Sequence, residues 1–156
     1  MVLYRGSVPC DVLLIGEAPG NVEDALGKPF VGPSGKLLDD ILKQALPPDL
    51  SYAITNVVAC IPRDTSQPLE QEKFRQPTKD EIDACKPRLL EFIDIAKPKA
   101  IILIGKIANK TKHVASLKLP TLAIVHPAYM LRNGGTKSVD YKRTILTIKQ
   151  WTKSNV

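Results

Sequence analysis

Apolar positions along this chain fall into short unbroken runs separated by longer helical stripes. Residues 12–15, Val-Leu-Leu-Ile, stop abruptly at Gly16. Residues 52–57 and 122–125 are runs of the same kind, and 100–104, Ala-Ile-Ile-Leu-Ile, is the most apolar of them. Runs of this length between turn residues predict strands buried on both faces. Between them the period changes. Leu37, Leu38, Ile41 and Leu42 share one face of a helix over 36–45, which Ser34 is expected to cap and Pro47-Pro48 to end. Thr78-Lys79-Asp80-Glu81 has the spacing of a capping box. The helix it opens should run to about residue 96 with Ile82, Leu89, Leu90 and Ile93 inward, and Pro87 leaves room for a kink. A helix from Gly105 toward Val114 and a basic one over 141–153, with Ile145, Ile148 and Trp151 on the core, complete the series. Strands alternating with helices predict a parallel sheet covered on both faces. Residues 61–77 are polar, proline-rich and without period, a loop long enough to suggest function or mobility.

Three strand ends carry chemistry. After the first come Gly16-Glu17-Ala18-Pro19-Gly20, then Glu23-Asp24 and Gly27-Lys28-Pro29-Phe30-Val31-Gly32. Such a turn places a carboxylate and an aromatic ring at the carboxyl edge of a sheet, where open α/β folds bind ligands. It is not a phosphate loop of the usual kind, because no Gly-Lys-Ser/Thr follows. Phe30 reads either as a core residue or as a stacking platform for a base. Asn56 ends the second strand, and either caps the next turn or presents its amide to a ligand. That amide offers a donor beside an acceptor and matches the O4 and N3–H edge of uracil, whereas cytosine presents the opposite pattern. His126 follows the fourth strand and opens His126-Pro127-Ala128-Tyr129-Met130-Leu131-Arg132. An apolar wedge beside arginine suits a loop that separates bases. His113 has no such context and reads as a surface residue.

Composition sharpens this picture. The 156 residues are 44% apolar, enough for one domain with a sizeable core. Formal charge is +6, and after residue 105 the only acid is Asp140 among many lysines and arginines. That asymmetry favours a polyanionic partner over a merely solvated basic face. No apolar run is long enough for a membrane span, and the first residues do not read as a secretory signal, so an intracellular protein (cytoplasm or nucleoid) is expected. Three cysteines without a Cys-x-x-Cys pair argue against disulfides and an ordinary zinc site.

Taken together and in order, Gly-Glu-Ala-Pro-Gly at 16–20, Glu23-Asp24, Gly-Lys-Pro-Phe-Val-Gly at 27–32, Ile-Thr-Asn-Val-Val-Ala-Cys at 54–60 and His-Pro-Ala-Tyr-Met-Leu-Arg at 126–132 resemble the family-4 uracil-DNA glycosylases. The resemblance covers nearly the whole chain, residues 1–156, as one domain. It implies a three-layer α/β/α fold around a central four-stranded parallel sheet. It also implies monofunctional removal of uracil from DNA, with DNA as partner and a monomer as the default state. By that resemblance Glu17 positions the attacking water, Phe30 stacks on the flipped uracil, Asn56 reads its edge and His126 bonds O2 of the leaving base. Gly16, Ala18 and Gly20 line the turn around the base. Tyr129, Met130, Leu131 and Arg132 face DNA, with Met130 where relatives usually carry a Leu wedge.

The pattern also departs from the family. Ala18 and Gly20 stand where family 1 has a water-activating Asp and a Tyr that excludes thymine, although family 4 shares the Ala. Family-4 enzymes typically hold a [4Fe–4S] cluster on four cysteines. Cys60 and Cys85 match the later two. The N-terminal pair has no counterpart, because the chain starts about where that segment would end, and Cys10 does not match. The expectation is that the cluster is not retained, that the 61–77 loop or apolar packing replaces it, and that the chemistry requires no cofactor. Two alternatives stay open: a same-fold glycosylase for another deaminated or modified base, and a non-catalytic DNA-binding or replication-accessory protein.

Overall fold

The computed structural model describes residues 1–64 and 75–156. The elements are β1 (Tyr4–Gly6), β2 (Val12–Gly16), α1 (Asn21–Leu26), α2 (Pro33–Ala45), β3 (Tyr52–Asn56), α3 (Lys79–Ala96), β4 (Ala100–Ile104), α4 (Lys106–Lys110), α5 (Lys112–Ala115), β5 (Thr121–Ile124), α6 (Pro127–Arg132) and α7 (Val139–Asn155). The sheet has the order β1-β3-β2-β4-β5. Four strands are parallel, as the alternation predicts, and β1 adds an antiparallel edge beside β3. Tyr4-Arg5-Gly6 is too short and too mixed in polarity to show a period, so only pairing identifies it as a strand.

Side-chain alternation divides the core into two layers. Val12, Leu14, Ile54, Ile102 and Ile104 pack against Leu38, Ile41 and Leu42 of α2 and Ile145 and Ile148 of α7. Leu13, Ile15, Ala53, Ile101 and Leu103 face Leu89, Ile93 and Ala96 of α3 and Ala108 and Val114 of α4 and α5. β2 and β4 are buried along their whole length, which explains their unbroken apolar sequences.

Helix ends follow local chemistry, with two corrections. Thr78 and Glu81 form the expected reciprocal cap, and α3 runs on through Pro87 to Ala96. Ser34 is not the cap of α2. Pro33 takes the first helical position, where its missing N–H is no loss, and Gly32 becomes the cap. The helix expected from Gly105 toward Val114 is two short helices. They break at Thr111, whose extended backbone and hydroxyl bond to the Ile107 carbonyl compete with helix continuation. Most of the 61–77 loop lies outside the described residues.

One helix contact is unusually tight. A Cβ on Gly35, inside α2, would lie 1.8 Å from the Phe30 carbonyl oxygen. Gly35→Ala is expected to destabilise the protein by at least the ~1–3 kcal/mol typical of overpacking. Thermal unfolding should then show a midpoint several degrees lower, at about 2–4 °C per kcal/mol. The exposed control Lys36→Ala should barely move it.

Candidate active site

The parallel strands end at one edge of the sheet. The chain steps from β2 to β3 on one side and continues through β4 and β5 on the other. The crevice beyond β2 and β4 is therefore the switch point at which open α/β sheets bind ligands. A cavity of about 840 Å³ opens there, lined by Glu17 after β2, Gly105 and Lys106 after β4, and His126, Tyr129 and Arg132 after β5.

Phe30 and Asn56 do not line that cavity; they form a buried wall beside it. Gly16 joins them to each other. A Cβ on Gly16 would sit 2.6 Å from Asn56 Oδ1 and 2.6 Å from the Phe30 ring, so both side chains converge over a residue that must lack one. The Phe30 and His126 rings lie 5.7 Å apart between centroids, tilted by 32°. The four expected residues thus form one continuous constellation, with Glu17 and His126 facing open space and Phe30 and Asn56 behind.

The backbone around Phe30 is held from both sides. Phe30 has φ of 53°, a left-handed backbone unusual for a bulky residue. Arg5 in β1 donates from Nε to the Pro29 carbonyl at 2.8 Å and from Nη2 to the Phe30 carbonyl at 2.9 Å, and it pairs with Asp39 at 2.7 Å. On the other side Glu23 accepts from the Gly32, Val31 and Gly20 N–H groups at 2.7, 3.1 and 3.2 Å. One buttressed carboxylate therefore ties both ends of the turn together. Its sequence signal was an acid three residues into a helix preceded by glycine. Ala18 packs against the α3 side of the core, and Gly20 caps α1.

Asn56 is 1% exposed, and its Oδ1 has no hydrogen-bond partner among the described residues. A buried acceptor left unpaired costs about 1–3 kcal/mol. A ligand that donates a hydrogen bond removes that penalty. Burial alone lifts the Glu17 carboxyl above its ordinary value of 4.5. Burial, helped by the Arg132 charge, lowers His126 below 6.5. His126 caps α6, its Nδ1 accepting from the Ala128 N–H at 3.0 Å. That bond assigns the neutral tautomer with its proton on Nε2, free to donate.

The His-Pro segment is a helix, α6, rather than a loop, because Pro127 suits a first helical position. This overturns the expectation for Met130. It is fully buried in the α2–α7 core layer and offers no wedge to DNA. Tyr129 and Leu131, on either side, are 47% and 40% exposed, and Arg132 is exposed. His113, read as a surface residue, is half-buried with Nε2 unpartnered among the described residues.

The cysteines do not assemble as a cluster site. Cys60, four residues past the end of β3, and Cys85, within α3, both lie within electrostatic reach of Arg88. Cys10 precedes β2 at the opposite edge of the sheet, buried, its thiol pushed up to about 11 by desolvation. No three potential metal-binding side chains come together among the described residues. Three cysteines, one of them at the opposite edge of the sheet, do not fit the four-thiolate set that a [4Fe–4S] cluster needs.

Residues 4–148 match the family model for the uracil DNA glycosylase superfamily. A type-4 uracil-DNA glycosylase of Thermotoga maritima is 30% identical, the match covering 99% of this chain and 82% of that protein. Proteins of the same name from Sulfurisphaera tokodaii and Pyrobaculum aerophilum are 40% and 39% identical over 72% and 68% of this chain. The chain spans about half the length of these last two, 46% and 50%. No helix among the described residues is long and apolar enough to cross a membrane. A carboxylate, phenyl ring, amide and imidazole gathered at the switch point, in a chain matched from Tyr4 to Ile148, place this protein in the uracil DNA glycosylase superfamily.

Proposed function

We propose that the protein hydrolyses the N-glycosidic bond of uracil in DNA and leaves an abasic site with the backbone intact. The observation that carries this is the buried, unpartnered Oδ1 of Asn56 beside the Phe30 ring. Uracil N3–H donates to that oxygen, while O4 accepts from the amide nitrogen. Cytosine has an acceptor at N3 and a donor at C4, so both bonds would fail. The type-4 uracil-DNA glycosylase name of its relatives supports the same substrate.

The chemistry follows from the charges that bond breaking creates. As N1–C1′ opens, the electron pair leaves with the base and the sugar becomes cationic. His126 Nε2–H donates to O2, where the negative charge gathers, from a side chain already oriented by its Nδ1 bond. The Glu17 carboxylate favours the cationic sugar and directs a water to C1′; that water's proton passes to Glu17 or solvent. Lys106 and Arg132, exposed at the cavity mouth, contact phosphates, and Tyr129 and Leu131 are the apolar side chains offered to the space left by the flipped base. No step requires a cofactor.

The test is release of uracil from labelled duplexes and single strands that also present hypoxanthine, xanthine or thymine, read by alkaline scission. Scission only with uracil is expected; scission only with another base, or binding without scission, would replace this reading with one of its rivals. Asn56→Asp should lower uracil excision by about two orders of magnitude, as unsatisfied buried groups dictate. Activity should survive treatment with EDTA and removal of any iron, checked by metal analysis of the assayed sample.

Glu17 also yields a stability prediction. Its native pKa lies above the unfolded value of 4.5, so the native state binds this proton more tightly. The ionised carboxylate therefore weakens the fold once pH rises above 4.5 and through the raised native value. Glu17→Gln should raise the melting temperature at neutral pH while lowering excision by about a hundredfold or more, the scale of a lost acid–base group. An unchanged or lower melting temperature would contradict the burial assigned to this group.

A further inference from the structure

Arg88 projects from α3 to the carboxyl end of β3. Its Nη2 donates to the Asn56 carbonyl at 2.6 Å and the Val57 carbonyl at 3.2 Å, and its Nη1 to Thr55 Oγ1 at 3.0 Å. Thr55 in turn donates to the Leu3 carbonyl at 2.6 Å. No carboxylate pairs with Arg88 among the described residues, and its Nε is buried without a partner. Burial works against its charge, offset in part by the neighbouring Cys85 and Cys60.

This is a poor arrangement for stability alone. A half-buried cation answered only by neutral oxygens recovers little of the hydration it loses, and an apolar side chain would pack there as well. The geometry has a different consequence. The peptide unit after Asn56 is bonded on both sides: the Val57 N–H donates to the Gly16 carbonyl at 2.8 Å, and the Asn56 carbonyl accepts from Arg88. Gly16 is also the residue over which the Asn56 amide and the Phe30 ring converge. Without Arg88, that peptide is tied to β2 only, and the amide above it gains freedom to tilt. An amide that reads one base edge by two parallel bonds tolerates little tilt.

We propose that Arg88 is a positioning residue that holds the Asn56 amide in the orientation that reads uracil. This rests on the edge-reading role given to Asn56 above. Arg88 touches no substrate; it acts through the carbonyl of the residue that does.

A double-mutant cycle tests it. Arg88→Met should lower kcat/KM for uracil excision by about ten- to a hundredfold, and weaken inhibition by free uracil to a similar degree. Affinity for duplex carrying an abasic-site analogue should stay close to wild type. In an Asn56→Ala background the same change should have almost no further effect, because the group it positions is gone. Arg88→Lys, which keeps one charged donor, should recover part of the loss, and it replaces Arg88→Met in the cycle if the latter does not fold. Equal losses in both backgrounds, or no loss in the first, would overturn the proposal. Side-chain amide NMR signals of Asn56 give a readout independent of turnover. They should be sharp in the wild type and shifted or broadened in Arg88→Met. Wild type without uracil excision but with this spectral change would defeat the substrate assignment and keep the positioning role; unaltered Asn56 signals would defeat the positioning role itself.

Discussion

Gly16 lies opposite Asn56 in the parallel pairing of β2 and β3, and its carbonyl accepts the Val57 N–H at 2.8 Å. The site depends on this register. A slip of one residue would turn the amide to the other face of the sheet and put a different residue under the Phe30 ring. The register is in turn held by burial, since Leu13, Leu14, Ile15, Ala53 and Ile54 are fully enclosed and each belongs to one layer only. Hydrophobic alternation thus positions a polar group to within hydrogen-bonding precision.

The edge of the sheet carries several features that weaken the fold. Phe30 adopts a left-handed backbone, Asn56 buries an unpaired oxygen, and Glu17 holds a carboxyl where its charge is disfavoured. The first two are braced by neighbouring side chains. Arg5 and Glu23 brace the backbone on either side of Phe30, and Arg88 braces the strand end under Asn56. Two guanidinium forks bound to backbone carbonyls recur here, and each uses the planar donor geometry that lysine lacks. Strain and unsatisfied polarity gathered where rigid elements over-determine them are the expected signature of a preorganised site.

Charge is separated from this interior. The lysines and arginines of α7, including Lys142, Arg143, Lys149 and Lys153, are exposed, while its Ile145 and Ile148 close the core. Lys106 and Arg132 bring the same sign to the cavity mouth. The basic side chains thus lie on the surface and at the cavity mouth, apart from the buried wall formed by Phe30 and Asn56.

Residue pattern alone determined the alternation of strands and helices, the four parallel strands, the capping box of α3 and the strand ends at which Glu17, Asn56 and His126 stand. These are legible because strand ends in an apolar run project polar residues to one edge, and the run marks where that edge is. It did not determine β1, which shows no period and exists through its partner. It did not determine that 126–132 is a helix either, and so mistook Met130 for an exposed wedge, since exposure depends on which way a helix turns against α2 and α7. The bracing by Arg5, Glu23 and Arg88 likewise appears only in three dimensions. Arg5 lies 25 residues from Phe30 and Arg88 lies 32 from Asn56. Hydrogen bonds to backbone carbonyls leave no trace at the residues that accept them, so only the folded chain discloses which arginine holds which strand.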